Sequence, residues 1–225
     1  MKYLLDTANI KDIKTYCEYF PIAGVTSNPS IVKKENRTHF FEHMGEIRKI
    51  IGGDKDLHIQ VTAAETDGML KDADTILNKI DADVLIKVPV TMDGIRAIRL
   101  LADQGIRVTG TAVYSKAQGF LALEAGAACI APYFNRMENL GLDPDDIIAS
   151  IAQMIEQYHY PTEILAASFK NAGQVDRAFL AGAQSATADP AILVSALKQA
   201  HIIDAVAAFD QDWKSLFGNR TIAEM

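Results

Sequence analysis

A lysine interrupts an apolar run near the middle of the chain, Val-Leu-Ile-Lys-Val-Pro-Val at residues 84–90. If this run is a β-strand, its faces alternate, so Lys87 points away from Ile86 and Val88. If those two residues pack against helices, Lys87 points into the interior of the fold, where burial lowers the pKa of an amine. A neutral amine in an apolar pocket attacks carbonyl groups to form a Schiff base. Lys87 is therefore a candidate nucleophile, and a purely structural ion pair is the alternative.

Asp6 ends the first apolar run of the chain, on the same face as Leu4. An inward carboxylate near Lys87 can be its ion partner, or it can accept a proton from a substrate hydroxyl. The alternative is an N-cap for a helix that begins near Ile10.

Three more polar residues lie at the ends of predicted strands: Gln60, Thr111 and Tyr133. A phenol at this position can act as a general acid, or it can be a half-buried aromatic. An amide or a hydroxyl at a strand end often only satisfies backbone groups. Taken singly, each of the three favours the structural interpretation.

Two segments are typical of anion sites. The second run ends in Thr26-Ser27-Asn28-Pro29-Ser30, and the seventh in Ser168-Phe169-Lys170, with a helix predicted to begin near Asn171. Helix N-termini that follow strands bind anions, and Arg136 adds a guanidinium suited to phosphate. The pattern indicates a phosphorylated substrate; a surface arginine and lysine are the alternative.

Eight short apolar runs, each followed by a segment of helical spacing, must position these residues. Strands that alternate with helices indicate a parallel sheet, and eight units in roughly 200–250 residues match a closed (β/α)₈ TIM barrel. An open doubly wound sheet is the alternative, but no GxGxxG or GxxxxGK[ST] motif occurs. The runs lie at residues 3–6, 22–26, 57–61, 83–88, 106–109, 128–131, 164–168 and 184–187.

No low-complexity linker divides the chain, so residues 1–225 are predicted to form one domain. The eighth barrel helix is predicted at residues 191–199, which leaves residues 204–217 as an extra amphipathic helix with an apolar stripe. The stripe needs cover, either from its own barrel or from a neighbouring subunit. It consists of Val206, Phe209, Trp213 and Leu216.

The bulk composition argues against several other classes of protein. The net charge is −7, and the densest basic stretch, Lys33, Lys34 and Arg37, contains Glu35 and is typical of a solvated helix face rather than a nucleic-acid interface. Two cysteines without a metal-binding or disulfide pattern favour a reducing compartment, and no stretch is apolar enough to span a bilayer, so we expect a cytoplasmic protein. His39 and His43 lie four residues apart, but no third ligand is evident, so we expect no metal.

Six ordered motifs resemble those of the small transaldolase family, and within it the fructose-6-phosphate aldolase branch. The resemblance covers nearly the whole chain and departs from the family at Ser27, where a threonine is usual, and in the tail 218–225. The motifs are Leu-Asp-Thr at 5–7, Gly-Val-Thr-Ser-Asn-Pro-Ser at 24–30, Ile-Lys-Val-Pro-Val-Thr at 86–91, Gly-Thr-Ala-Val-Tyr at 110–114, Ala-Pro-Tyr-Phe-Asn-Arg at 131–136 and Ala-Ala-Ser-Phe-Lys at 166–170.

The resemblance implies a TIM barrel that works without a metal or an organic cofactor. It implies that Lys87 attacks a ketone and that Asp6 handles a hydroxyl proton. Arg136 would grip the phosphate of the aldehyde partner, and the remaining substrate contacts would come from Thr26, Asn28, Ser168 and Lys170. It further implies a homo-oligomer, a decamer of two pentameric rings in which the last helix crosses to a neighbouring subunit.

Two positions separate the branches of this family. The transaldolases have glutamate where this chain has Gln60, and phenylalanine where it has Tyr133. With Gln60 and Thr111 only positioning a water molecule, Tyr133 would carry the proton. The resemblance therefore implies an aldolase that interconverts fructose 6-phosphate with dihydroxyacetone and glyceraldehyde 3-phosphate. A transaldolase that transfers the dihydroxyacetone unit is the first alternative, and a non-catalytic barrel that binds sugar phosphates is the second.

Overall fold

The structure, a computed structural model, describes residues 1–36 and 38–225, so Arg37 of the basic stretch lies outside the described residues. Eight parallel strands form a closed barrel in which β1 also pairs with β8. This confirms the predicted (β/α)₈ barrel. The strands begin within two residues of the predicted positions, and β5 continues past the predicted end to Val113. They are β1 (Lys2–Asp6), β2 (Ile22–Thr26), β3 (Asp56–Gln60), β4 (Leu85–Pro89), β5 (Val108–Val113), β6 (Cys129–Pro132), β7 (Glu163–Ala166) and β8 (Ser185–Ala188).

Eleven α-helices occur in the described residues, because the crossovers after β2 and β6 each contain a short helix before the longer one and an extra helix follows the eighth barrel helix. Sequence patterns set several boundaries: Asp143 caps α8 with Pro144 in its first turn, and Asn171 caps α9. The helices are α1 (Ile10–Tyr19), α2 (Pro29–Lys34), α3 (Phe40–Ile51), α4 (Thr66–Lys79), α5 (Met92–Ala102), α6 (Lys116–Glu124), α7 (Phe134–Asn139), α8 (Pro144–Tyr158), α9 (Ala172–Leu180), α10 (Pro190–Leu197) and α11 (Ala200–Phe217).

The hydrophobic core lies mainly between the strands and the surrounding helices. Ile86 and Val88 of β4 and Leu57 and Ile59 of β3 are buried there. Because faces alternate along a strand, the residues between them, including Lys87, point into the barrel. The predicted orientation of Lys87 is therefore confirmed.

The close approach of α5 to the strand that carries Lys87 depends on Gly94. A β-carbon added at Gly94 would lie 1.8 Å from the carbonyl oxygen of Pro89, the last residue of β4. We expect Gly94→Ala to lower the free energy of unfolding by about 1–3 kcal/mol, because backbone must move to relieve the overlap.

Urea unfolding measures this loss, with Gly45→Ala in α3 as the matched control. A β-carbon at Gly45 would meet no atom within 4 Å, so this helical substitution should stabilise the protein by roughly 0.5–1 kcal/mol. Equal unfolding curves for the two variants would contradict the close packing of α5 on β4.

The extra C-terminal helix is present and is longer than predicted, beginning at Ala200. None of its residues is buried, and most of the apolar stripe faces solvent, with Phe209 71% exposed. In this single chain the barrel therefore does not cover the stripe. The tail returns along the helix, where the Trp213 indole donates a hydrogen bond of 2.7 Å to the carbonyl of Arg220.

Within the described residues, no single helix is both long and apolar enough to cross a bilayer. Only α10 and the segment from Ala200 to Glu224 taken together reach that length and composition, and they are bent by 47°.

Candidate active site

A polar cavity of about 200 Å³ opens at the carboxyl ends of the strands. In TIM barrels this is the face that carries the active site. Seven of the ten predicted site residues line it: Asp6, Asn28, Lys87, Tyr133, Arg136, Ser168 and Lys170. The lining also includes Ser30 of the predicted anion segment, together with Lys34 at the end of α2, Thr187 in β8 and Asp189 just after β8. The sequence interpretation did not predict these last three as site residues.

Lys87 lies at the inner wall of this cavity and is 2% exposed. Its Cα pairs in register with Gln60 on β3 and with Thr109 on β5. Burial lowers the pKa of the Lys87 amine, and the negative charge of Asp6 opposes that shift. Among the described residues, no carboxylate lies within ion-pair distance of this amine. A buried amine with a lowered pKa and without an ion partner is a candidate nucleophile.

Asp6 is half-buried beside Lys87 and accepts a hydrogen bond of 2.7 Å from the Thr26 hydroxyl. Thr26 in turn lies 2.6 Å from the hydroxyl of Thr187 on β8. Burial raises the pKa of the Asp6 carboxyl, while Lys87 and the Thr26 hydrogen bond lower it. The carboxylate does not cap α1, because Asn9 does so. Thr26 acts behind Asp6, outside the residues that line the cavity.

Tyr133 projects into the cavity immediately after β6, and its hydroxyl lies 3.0 Å from that of Thr111. Burial raises the pKa of the Tyr133 phenol, so the group keeps its proton at neutral pH. The Arg136 guanidinium lies 4.8 Å from the centre of the Tyr133 ring. A protonated phenol at this position can give and recover a proton.

A bulge in β5 shapes this part of the wall. The pairing of β5 with β6 shifts between Gly110 and Val113, and Ala112 has a φ of 57°. Thr111 therefore lies within β5, not beyond its end as predicted, and it reaches the cavity only through Tyr133. An alanine in this left-handed region is uncommon and accompanies bulges next to active sites.

Hydrogen-bond donors and cations surround the mouth. The Asn28 carboxamide oxygen caps α2, which leaves its NH₂ group available. Ser168, with a φ of 64°, and Lys170 follow β7, while the exposed Arg136 lies on α7. These groups can hold a phosphate and sugar hydroxyls.

Gln60 is the third predicted residue outside the cavity lining. It lies beside Lys87 in the sheet and lines a neighbouring depression with Asn28. Its Oε1 atom is buried and has no hydrogen-bond partner among the described residues. An orphan acceptor on the strand beside Lys87 can position a polar group of a substrate or a water molecule.

Replacing Asp6 with asparagine should move the acid limb of the pH–rate profile for Schiff-base formation at Lys87 to lower pH. The Asp6 charge favours the ammonium form of Lys87, so its removal lowers the pKa of the amine further. Since the amine reacts only when deprotonated, reactivity is lost as the pH falls through that pKa.

The measurement is the rate of borohydride trapping with dihydroxyacetone as a function of pH. Asp189→Asn, at the exposed rim of the cavity, is the control and should move the limb less. A limb that stays in place, or that moves to higher pH in Asp6→Asn, would show that Asp6 does not act on Lys87.

The chain matches known proteins along nearly its whole length. The family model described as transaldolase/fructose-6-phosphate aldolase matches residues 3–220. A protein of Streptococcus pneumoniae (strain ATCC 700669 / Spain 23F-1) named probable fructose-6-phosphate aldolase is 45% identical over 222 residues, covering 99% of this chain and 100% of the relative. Together with the eight-stranded barrel and the cavity around Lys87, these matches confirm the resemblance seen in the six motifs, and the chain belongs to the transaldolase/fructose-6-phosphate aldolase family.

Proposed function

We propose that this chain is a class I aldolase that interconverts fructose 6-phosphate with dihydroxyacetone and glyceraldehyde 3-phosphate through a Schiff base on Lys87. The observation that carries the proposal is the buried amine of Lys87, which lines a cavity together with Asp6 and Tyr133. Burial lowers the pKa of this amine. The name of the Streptococcus pneumoniae relative supports the choice of substrate.

Cleavage begins when the Lys87 amine attacks the C2 carbonyl of the ketose, and loss of water gives a protonated imine. A base then removes the proton of the C4 hydroxyl, the C3–C4 bond breaks, and its electron pair moves into the imine to form an enamine. The C4 fragment leaves as glyceraldehyde 3-phosphate. Protonation of the enamine at C3 and hydrolysis release dihydroxyacetone and restore the amine.

Each proton transfer has a candidate among the residues of the cavity. Asp6 orients the donor hydroxyls and handles a hydroxyl proton, because it is the carboxylate beside Lys87. Tyr133 takes part in the proton transfer that accompanies cleavage of the C3–C4 bond. It acts directly or through a water molecule positioned by Gln60 and Thr111. Gln60 cannot act as a base itself, since a carboxamide does not ionise.

The phosphate of the aldehyde partner belongs at the cationic mouth. Arg136 offers a planar fork of donors, and Lys170 adds a point charge from the neighbouring β7 loop. Asn28 and Ser168 supply neutral hydrogen bonds to the substrate. Thr26 acts indirectly, because its hydroxyl donates a hydrogen bond to Asp6.

The test is the release of glyceraldehyde 3-phosphate from fructose 6-phosphate with no acceptor aldehyde present. We expect steady turnover in the wild type and none in a Lys87→Met control. Turnover that begins only when erythrose 4-phosphate is added would instead assign a transaldolase and show that Gln60 and Tyr133 do not select cleavage. If borohydride traps no ketose on Lys87, the remaining candidate is a non-catalytic barrel that binds sugar phosphates.

We extend the proposal to assembly: residues 1–225 form one domain, and the uncovered face of α11 packs on a neighbouring subunit of a decamer. The support is the exposed apolar stripe, which a single chain leaves uncovered. Light scattering of the purified protein gives the mass directly. We place the enzyme in the cytoplasm, where its two free cysteines remain reduced.

A further inference from the structure

A buried hydrogen bond crosses the barrel interior beneath Lys87. The Nδ1 atom of His58 on β3 lies 2.9 Å from the Thr109 hydroxyl on β5. Neighbouring strands are about 4.8 Å apart, so β3 and β5 are separated by roughly 9–10 Å with β4 between them. The imidazole must therefore extend across the inner face of β4 to reach Thr109.

The register places this bridge at the base of the Lys87 side chain. His58 pairs with Leu85, while Thr109 pairs with Lys87 itself. The ring thus passes over the inner face of β4 between the levels of Leu85 and Lys87.

The bridge is chemically unusual for the centre of a barrel. His58 is 1% exposed and Thr109 is fully buried, and the Nε2 atom of His58 has no hydrogen-bond partner among the described residues. Burial lowers the pKa of His58 well below its ordinary value, and the positive charges of Lys87, Arg107 and Arg48 lower it further. The ring is therefore neutral, and it places no positive charge beneath the amine.

An apolar side chain would fill the same space without leaving a nitrogen unpaired. The hydrogen bond to Thr109 fixes the orientation of the ring. A fixed floor matters for lysine, because its four-carbon stem has many rotamers to lose before the amine can attack.

We propose that His58 and Thr109 form a strut that positions Lys87, so that its amine points to the mouth of the cavity. The strut rests on the proposed function, since it acts through the Schiff-base lysine. His58 and Thr109 are positioning residues: neither lines the cavity. The bridge sets the geometry of attack and leaves the binding of substrate to the residues of the mouth.

The test compares Thr109→Val, which keeps the shape of threonine but removes the hydroxyl, with Thr109→Ser, which keeps the hydroxyl. The readouts are the rate of borohydride trapping with dihydroxyacetone, kcat and KM for fructose 6-phosphate cleavage, and the melting temperature. We expect Thr109→Val to lower the trapping rate and kcat by the same factor, about ten- to hundredfold. KM should change by less than about threefold, and Thr109→Ser should recover most of the rate.

A second variant, His58→Phe, keeps a ring beneath Lys87 but removes both nitrogens, and it should reproduce the loss seen in Thr109→Val. If both variants form the adduct at the wild-type rate, the strut is overturned, even if they melt at lower temperature, because such a result leaves only a structural role. If the wild type itself forms no adduct at Lys87, the proposed function fails and the strut fails with it.

Discussion

Replacing Lys87 with methionine is expected to abolish turnover, with kcat lowered by roughly ten-thousandfold or more, because the proposed covalent nucleophile is lost. The same change should not lower the melting temperature at pH 7. Burial disfavours the ammonium of Lys87, so below the ordinary lysine pKa the folded state binds this proton less readily than the unfolded chain, which costs stability. Methionine of similar length removes that cost.

Borohydride trapping followed by peptide mass mapping, together with thermal unfolding, measures both effects. Lys170→Met is the matched control, because Lys170 lines the same cavity but is exposed. It should form the Schiff base normally and raise KM for the phosphorylated substrate. A labelled peptide that contains Lys170 and not Lys87, or more than about one percent of wild-type turnover in Lys87→Met, would move the nucleophile elsewhere.

Replacing Tyr133 with phenylalanine is expected to lower kcat for cleavage by about a hundred- to ten-thousandfold, the range of general acid–base catalysis. Schiff-base trapping should persist, because the amine is untouched. The hydroxyl of Thr111 loses its partner at 3.0 Å, so the free energy of unfolding should fall by about 1 kcal/mol. Single-turnover cleavage and urea unfolding separate these effects.

Tyr114→Phe is the control for Tyr133→Phe. The Tyr114 ring packs edge-on against that of Tyr133 at 5.7 Å, and its hydroxyl accepts a hydrogen bond from Arg136. Removal of the Tyr114 hydroxyl should leave proton transfer intact and should remove only the hydrogen bond with Arg136. If Tyr133→Phe cleaved fructose 6-phosphate at the wild-type rate, Tyr133 would have no part in the proton transfer.

The barrel and the orientation of Lys87 could be predicted from the sequence, because both follow from local periodicity. Apolar runs of strand length fix the number of strands, and alternation within the fourth run turns Lys87 inward. The observed strands begin no more than two residues from the predicted positions. The alternation of faces within each strand does not depend on where the strand begins.

The links between strands could not be predicted in the same way. The contact between Thr111 and Tyr133 depends on a bulge at Ala112, and no glycine in the sequence indicates a positive φ there. Asp6 alone was as well explained by a helix cap, until the structure showed that Asn9 caps α1. The sequence does not pair His58 with Thr109, because 51 residues separate them.

The pairing of β1 with β8 ties the start of the chain to its far end, with consequences during synthesis. Until residues 185–188 have left the ribosome, β1 has one open edge, and an unpaired edge is a template for association with other chains. The Thr26–Thr187 contact behind Asp6 is also completed only then. The hydrogen bond from Thr26 to Asp6 joins β1 to β2, so of the two contacts of the Thr26 hydroxyl only the one with Thr187 waits for the last strand. A chain that ends between residues 167 and 184 has seven strands and leaves one edge of β1 and one edge of β7 unpaired, which favours aggregation.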